Sequence, residues 1–189
     1  MTGGGLLPVG LVSVIVFGAM LWELRVSRAN EHEYRRRGAV DGPDPVYRLM
    51  RVAYPGAFLL MAIEGVWRSP LAGWPLPAGA VLFVVAKLLK VWAIRALGHR
   101  WTYKVLVLPR EPLVTAGPYA FVRHPNYVAV LGELVGMALM MQARVAGPLA
   151  TVGFAALMWR RVVAEEAALG IAAGRHGVRR SRDAADPTS

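Results

Sequence analysis

Two short stretches of this chain hold residue types that can do chemistry together. The first, GPYAFVRHPNY at residues 117–127, sets Arg123 and His124 directly before Pro125. A proline there opens a helix and pushes the preceding residue into extended backbone, so His124 is expected at the helix N-cap. Free amides at a helix N-terminus, with Arg123 and His124 beside them, suit a carboxylate or a phosphate. The same pattern also serves as a plain helix start with interfacial Arg, His and Tyr. The second stretch, Arg161-Val-Val-Ala-Glu165-Glu166, puts Arg161 and Glu165 four residues apart on one helix face. Read plainly, that is a surface pair of about 0.2–0.5 kcal/mol. Read for chemistry, two adjacent carboxylates cannot both point at one arginine, which leaves one to take an ammonium group or another donor.

Other chemistries are excluded or poorly supported. There is no cysteine, so thiolate metal sites, disulfides and a cysteine nucleophile are out. His32, His99, His124 and His176 lack metal-ligand spacing.

The elements that must position these residues are apolar. The 189 residues are 56% hydrophobic, with a mean hydropathy of +0.41, too apolar for most soluble folds of this length. Five stretches approach the roughly 20 residues that a membrane-crossing helix needs: 6–22, 52–67, 78–97, 126–142 and 145–163. Basic residues cluster in alternate connections, with seven arginines between the first and second stretches against Arg68 alone in the next. That asymmetry puts odd-numbered connections and the C-terminus in the cytoplasm and the N-terminus outside. It also accounts for the net charge of +10 as topology and attraction to anionic membrane lipid, not as nucleic-acid binding. The opening MTGGG has no basic n-region, so the first apolar run is expected to stay as an anchor.

Between the spans, residues 23–51 read as a charged helical extension lying along the headgroups and broken at Gly42-Pro43-Asp44-Pro45, either a solvated basic connector or a direct participant in the active site. Residues 69–77 read as a proline-rich turn. Residues 98–124 have too few apolar residues to cross a membrane, yet hold Trp101, Tyr103 and a Val-Leu-Val-Leu run, so an ordered loop is expected. Lys87 and Lys90 are expected to pair with Glu133 or Glu64 inside the bundle, to snorkel, or to contact substrate. Residues 170–189 read as a flexible tail. The fold class expected is an all-α integral membrane protein, one domain of five transmembrane helices with an ordered cytoplasmic cofactor-binding loop.

GPYAFVRHPNY followed after one helical hairpin by Arg-x-x-x-Glu-Glu resembles the isoprenylcysteine carboxyl methyltransferase family, over roughly residues 76–169, and RANEHEYRRRGA is similar to small bacterial members. The resemblance implies S-adenosylmethionine as cofactor, bound at the cytoplasmic face of a bacterial inner membrane. It implies that Glu111, Pro112, Leu113, Val114, Tyr119, His124, Pro125, Asn126 and Tyr127 contact it and that Glu165 holds its amino group. Arg161 is then the catalytic arginine directed at the substrate acid. Tyr103 and Lys104 stand near another family contact in a loosely matching loop. The implied substrate is a lipophilic small molecule or lipidated protein bearing a carboxylate or an acidic enol, isoprenylcysteine-like or alkylpyrone-like. Family members carry an aromatic tail after the Glu-Glu pair that this chain lacks. Arg-His-Pro-Asn-Tyr is also similar to a stretch in membrane sterol reductases, which makes an NADPH-dependent reductase the alternative enzyme class; a helical scaffold or transport subunit is the non-catalytic one.

Overall fold

The computed structural model describes residues 6–68, 75–108 and 111–168. The opening MTGGG, most of the proline-rich turn and the expected tail lie outside the described residues. Five helices carry the fold: α1 (Leu6–Arg36), α2 (Tyr47–Arg68), α3 (Pro75–Leu97), α4 (Pro125–Met140) and α5 (Ala146–Ala168). Each expected helix is present, and α4 begins at Pro125 with His124 as its N-cap. Two helical stretches, Val9–Arg36 and Tyr47–Arg68, are long and apolar enough to cross a membrane, and α4 is a shorter apolar helix. Large apolar side chains are exposed along the bundle, among them Val14, Leu60, Trp67, Leu88 and Val152.

The charged helical extension expected from residue 23 is present, continuing α1 without a break to Arg36. At 1.5 Å per residue, α1 runs unbroken for roughly 46 Å, longer than a hydrocarbon core. Its last turns form a post for residues 98–108 and for Glu111. Asn30 Nδ2 donates to the carbonyls of Gly98 and Trp101 at 3.1 and 2.8 Å, and Ser27 Oγ accepts from the Tyr103 amide at 2.8 Å. Lys104 pairs with Glu31 at 2.6 Å, and Tyr34 donates to Glu111. A two-residue ribbon completes the tie: β1 (Val40–Asp41) runs antiparallel to β2 (Leu106–Val107), with Val40 opposite Val107. The ordered loop expected at 98–124 is therefore held by side chains and strand pairing, with short 3-10 turns at Gly98–Arg100 and Gly117–Ala120.

The helical hairpin of α3 and α4 packs most closely. A Cβ on Gly136 would stand 2.8 Å from the Phe83 amide nitrogen, and one on Gly79 would stand 2.7 Å from the Gly136 carbonyl. Gly132 and Gly136 form a G-x-x-x-G face, which lets two backbones meet without side chains between them. Beside this seam lie Phe58, Met61, Leu134, Met137 and Met141, all fully buried.

Glu64 does not meet the lysines. It accepts from the Val145 and Ala146 amides at 3.1 and 2.7 Å and pairs with Arg68 at 2.7 Å. A carboxylate there satisfies orphan amides at the start of α5.

The close seam predicts a contrast between two glycines. Gly136→Ala should destabilise the detergent-solubilised protein by about 1–3 kcal/mol, the usual cost of overpacking. Gly153→Ala, inside α5 with nothing within 4 Å of its added Cβ, should leave the thermal midpoint unchanged or raise it. Equal midpoints for the two variants would contradict the close approach of α3 and α4.

Candidate functional site

The site is built outward from a buried group of charges. Glu23 of α1, Lys90 of α3 and Glu133 of α4 are each at most 2% exposed, and Lys87 completes the group. Lys90 Nζ lies 2.8 Å from Glu23 and 3.3 Å from Glu133, while Lys87 Nζ lies 2.5 and 3.0 Å from the same two carboxylates. Two phenols close the ring: Tyr54 of α2 donates to Glu133, and Tyr103 donates to Glu23 at 3.2 Å. Lys87 and Lys90 thus pair inside the bundle with Glu133, as one expected arrangement had it. Their second partner is Glu23, not Glu64.

Tyr103 carries this order to the chemistry. Its backbone carbonyl accepts from Nη2 of Arg161, which also lies 3.2 Å from Asp44 Oδ2. The Arg161 side chain is 10% exposed and that of Asp44 9%. Arg161 is therefore paired with Asp44 and not with Glu165, although Glu165 is one turn away on the same helix. Arg161, Tyr103, Asn126, Tyr127, Tyr54 and Lys90 line the polar side of a cavity of about 320 Å³. Its apolar side comes from Phe17, Met20, Leu21 and Leu24 of α1 with Met50, Pro55, Phe154 and Met158. Such a cavity, mostly apolar with a few convergent polar groups, is the usual form of a small-molecule site.

The two glutamates after Arg161 have separate tasks. Glu165 accepts from the Tyr127 hydroxyl at 2.7 Å. Glu166 lies 3.1 Å from His124 Nε2 and 3.8 Å from Arg123. The His124 ring stacks on Tyr127 with centroids 5.5 Å apart. Among the described residues Glu165 has no cationic partner, and Asn126 Oδ1 is buried without a hydrogen-bond partner. Burial, and then the Glu165 carboxylate, raise the Tyr119 phenol above its ordinary value, so it stands neutral near that carboxylate. The turn carrying Tyr119 is fixed by Gly117, whose φ of 62° and close approach to Trp92 and Ala96 would strain any side chain there.

The structure thus gathers Arg161, Glu165, Tyr119, His124, Pro125, Asn126 and Tyr127 at the start of α4. It does not bring Glu111, Pro112, Leu113 and Val114 to them by any hydrogen bond or ion pair among the described residues. Glu111 pairs with Arg100 at 2.9 Å and accepts from Tyr34; Pro112 offers its carbonyl to Arg100 at 2.6 Å, and Leu113 is exposed. Burial, helped by the bond to Glu111, raises the Tyr34 phenol to about 12. Asp44, Tyr54 and Glu23 stand in this candidate site, and the sequence singled out none of them. Asp44 sat in a proline-rich break, and Glu23 stood at the end of an apolar run where a charged side chain usually marks the membrane edge.

Residues 79–171 match the isoprenylcysteine carboxyl methyltransferase (ICMT) family. The chain is 32% identical to an uncharacterized protein of Bacillus subtilis, YpbQ, over 78% of this chain and 88% of the relative. It is 21% identical to an uncharacterized protein of Haemophilus influenzae over 87% of this chain and 96% of the relative. It is 30% identical to protein-S-isoprenylcysteine O-methyltransferase A of Arabidopsis thaliana over 46% of this chain, spanning 43% of that relative. No solved structure matches.

The buried charges predict non-additive energetics. Lys90→Met should cost about 3–5 kcal/mol, because it strands a buried carboxylate. Adding Glu133→Gln should recover part of that loss, as coupled neighbours do. Thermal unfolding of the two singles and the double checks this, and strictly additive losses would refute the coupling.

Proposed function

The chain belongs to the isoprenylcysteine carboxyl methyltransferase family, and on that premise we propose that it is a multi-pass membrane O-methyltransferase. It takes S-adenosylmethionine at the start of α4 and the carboxylate or acidic enol of a lipophilic substrate at Arg161. The single observation that carries this reading is that Glu165, a carboxylate with no cationic partner among the described residues, stands beside a cavity lined by the buried Arg161.

The residues present fit the cofactor. An amino group calls for an anion and further acceptors. Glu165 has no cationic partner among the described residues, and Asn126 Oδ1 is a buried acceptor without one. The Tyr119 and Tyr127 rings are aromatic faces of the kind that favours a cation. When bound, S-adenosylmethionine supplies an electrophilic methyl group on a sulfonium.

Everything else falls to this chain's own side chains. Tyr127 stands on the cavity wall with Arg161 and also donates to Glu165, so one residue spans the two half-sites. Arg161 orients the acceptor oxygen and offsets its charge, and the Tyr103 carbonyl holds the guanidinium in place. The apolar wall from α1 and α2 receives the lipophilic tail and keeps water from the reacting oxygen. Alignment is the main demand of such an in-line displacement. The exposed apolar side chains on the helices suit a lipid surface, and the arginine asymmetry of the connections argues for a cytoplasmic site. The family match is to methyltransferases; nothing in the site favours the reductase reading over it.

Equilibrium binding of S-adenosylmethionine to the purified protein in lipid nanodiscs is the test. The wild type should bind, and Glu165→Ala should weaken binding roughly tenfold to a hundredfold, the loss of one hydrogen bond to a charged group. Absence of binding, or binding indifferent to Glu165→Ala, would sink the cofactor assignment, and stabilisation by NADPH instead would restore the reductase.

A further inference from the structure

We propose that the polar pocket at the start of α2 is a phosphate site, in which Arg48, Arg51 and Lys104 hold the head group of a net-anionic phospholipid. The proposal does not depend on which reaction the neighbouring cavity performs.

The pocket has a volume of about 590 Å³ and lies between the first turn of α2, the turn after β1, and Lys104 and Val105 of the loop. Its floor is tied in place. The Gly42 amide donates to the Val105 carbonyl at 2.8 Å, and a Cβ on Gly42 would stand 2.8 Å from Val105 Cγ1. Cations converge on this floor. The Arg51 guanidinium and the Lys104 ammonium stand 5.9 and 6.0 Å from the centre of the one Tyr47 ring. Arg48 is three residues before Arg51 and shares its face of α2.

The balance of charge calls for an anion. Two carboxylates also line the pocket, but each is taken by an arginine from outside it: Asp41 by Arg35 at 2.6 Å and Asp44 by Arg161 at 3.2 Å. Lys104 is paired in turn with Glu31. Arg48 and Arg51 form no ion pair among the described residues, so two positive charges in the pocket are left uncompensated. Cations gathered without an acid repel one another, and an anion with several acceptor oxygens relieves this. A guanidinium matches a phosphate with two parallel hydrogen bonds. The first turn of α2 holds no acid of its own, so the helix dipole acts in the same sense.

The place selects a lipid. Tyr47–Arg68 is one of the two helical stretches long and apolar enough to cross a membrane. The pocket lies at its first turn, where such a helix passes from hydrocarbon into the phosphate layer. Leu49 and Val52, each next in sequence to one of the two arginines, are 56% and 66% exposed, so apolar surface for acyl chains adjoins the cations. A soluble phosphate ester would leave that surface uncovered. Phosphatidylcholine carries an ammonium group beside its phosphate, so a head group with net negative charge fits two unpaired arginines better. Tyr47 and Arg51 also line the cavity of about 320 Å³ that holds Arg161, so a head group held by them borders the candidate site.

Native mass spectrometry of the full chain in neutral detergent tests this by counting lipid retained per chain, with phosphatidylglycerol, phosphatidylcholine and glycerol phosphate as probes. The wild type should retain phosphatidylglycerol about tenfold in preference to phosphatidylcholine, and Arg48→Gln with Arg51→Gln should abolish the preference, since each cation near anionic lipid is worth about fivefold in affinity. Removing the same charge by Arg25→Gln with Arg28→Gln, exposed on α1 at the same spacing, should leave it in place. Equal retention of both lipids by the wild type, or a preference untouched by the Arg48 and Arg51 changes, would overturn the site. Equal loss in the two double variants would also overturn it, because the attraction would then belong to the basic surface as a whole. Displacement of the lipid by an equal concentration of glycerol phosphate would overturn the lipid as occupant and give the pocket to a soluble phosphate ester. Should the double variant not fold, Arg48→Gln alone decides, because that exposed side chain makes no hydrogen bond or ion pair among the described residues. It should lower the preference about fivefold, and an unchanged ratio would overturn the site.

Discussion

Two glutamates and two lysines held out of water in the middle of the bundle are the constraint on which the rest of the structure depends. Each charge is too costly to bury alone, so the four must meet, and they come from three different helices. That requirement sets the depth of α1 against α3 and α4. Tyr54 adds α2 through its bond to Glu133, and Tyr103 adds the loop through its bond to Glu23. Apolar packing alone would tolerate sliding of one helix past another, because it has no direction. A closed set of charge-assisted hydrogen bonds does not.

From there the order passes outward through one residue. The Tyr103 side chain belongs to the charge cluster and its carbonyl to Arg161. Arg161 in turn meets Asp44, which the prolines at 43 and 45 present at the start of α2. The second half-site grows from α4, where Pro125 sets the helix start and Tyr127, one turn in, reaches both the cavity and Glu165. The long first helix is what makes this compact. Its last turns hold residues 98–108 in place by side-chain hydrogen bonds and an ion pair, and β1 just beyond them adds strand pairing, so the loop that carries Tyr103 is fixed without a long helix of its own.

Much of this was legible in the order of residues. The five helices followed from apolar length, and the helix start at Pro125 from proline's fixed geometry. The grouping of Arg161 and Glu165 with His124 to Tyr127 followed from resemblance to a family. Other parts were hidden for physical reasons. Glu23 carries no mark in the chain that separates a buried charge from a boundary charge; only Lys87 and Lys90 on another helix make it affordable. Asp44 lies between prolines, where a carboxylate is usually a turn residue facing water. The expected contact of residues 111–114 with the cofactor rested on family likeness alone. The contacts that Glu111 and Pro112 do make, with Arg100 and Tyr34, follow from no local pattern.

The central claim, that this membrane bundle transfers a methyl group to a lipophilic oxygen acid, is tested most directly by product. Purified protein in nanodiscs, supplied with methyl-labelled S-adenosylmethionine and a panel of long-chain acids, phenols and enols, should place label in the organic extract, and Arg161→Ala should abolish it. Label that stays in the aqueous phase with every member of the panel, from protein that binds the cofactor, would contradict the account.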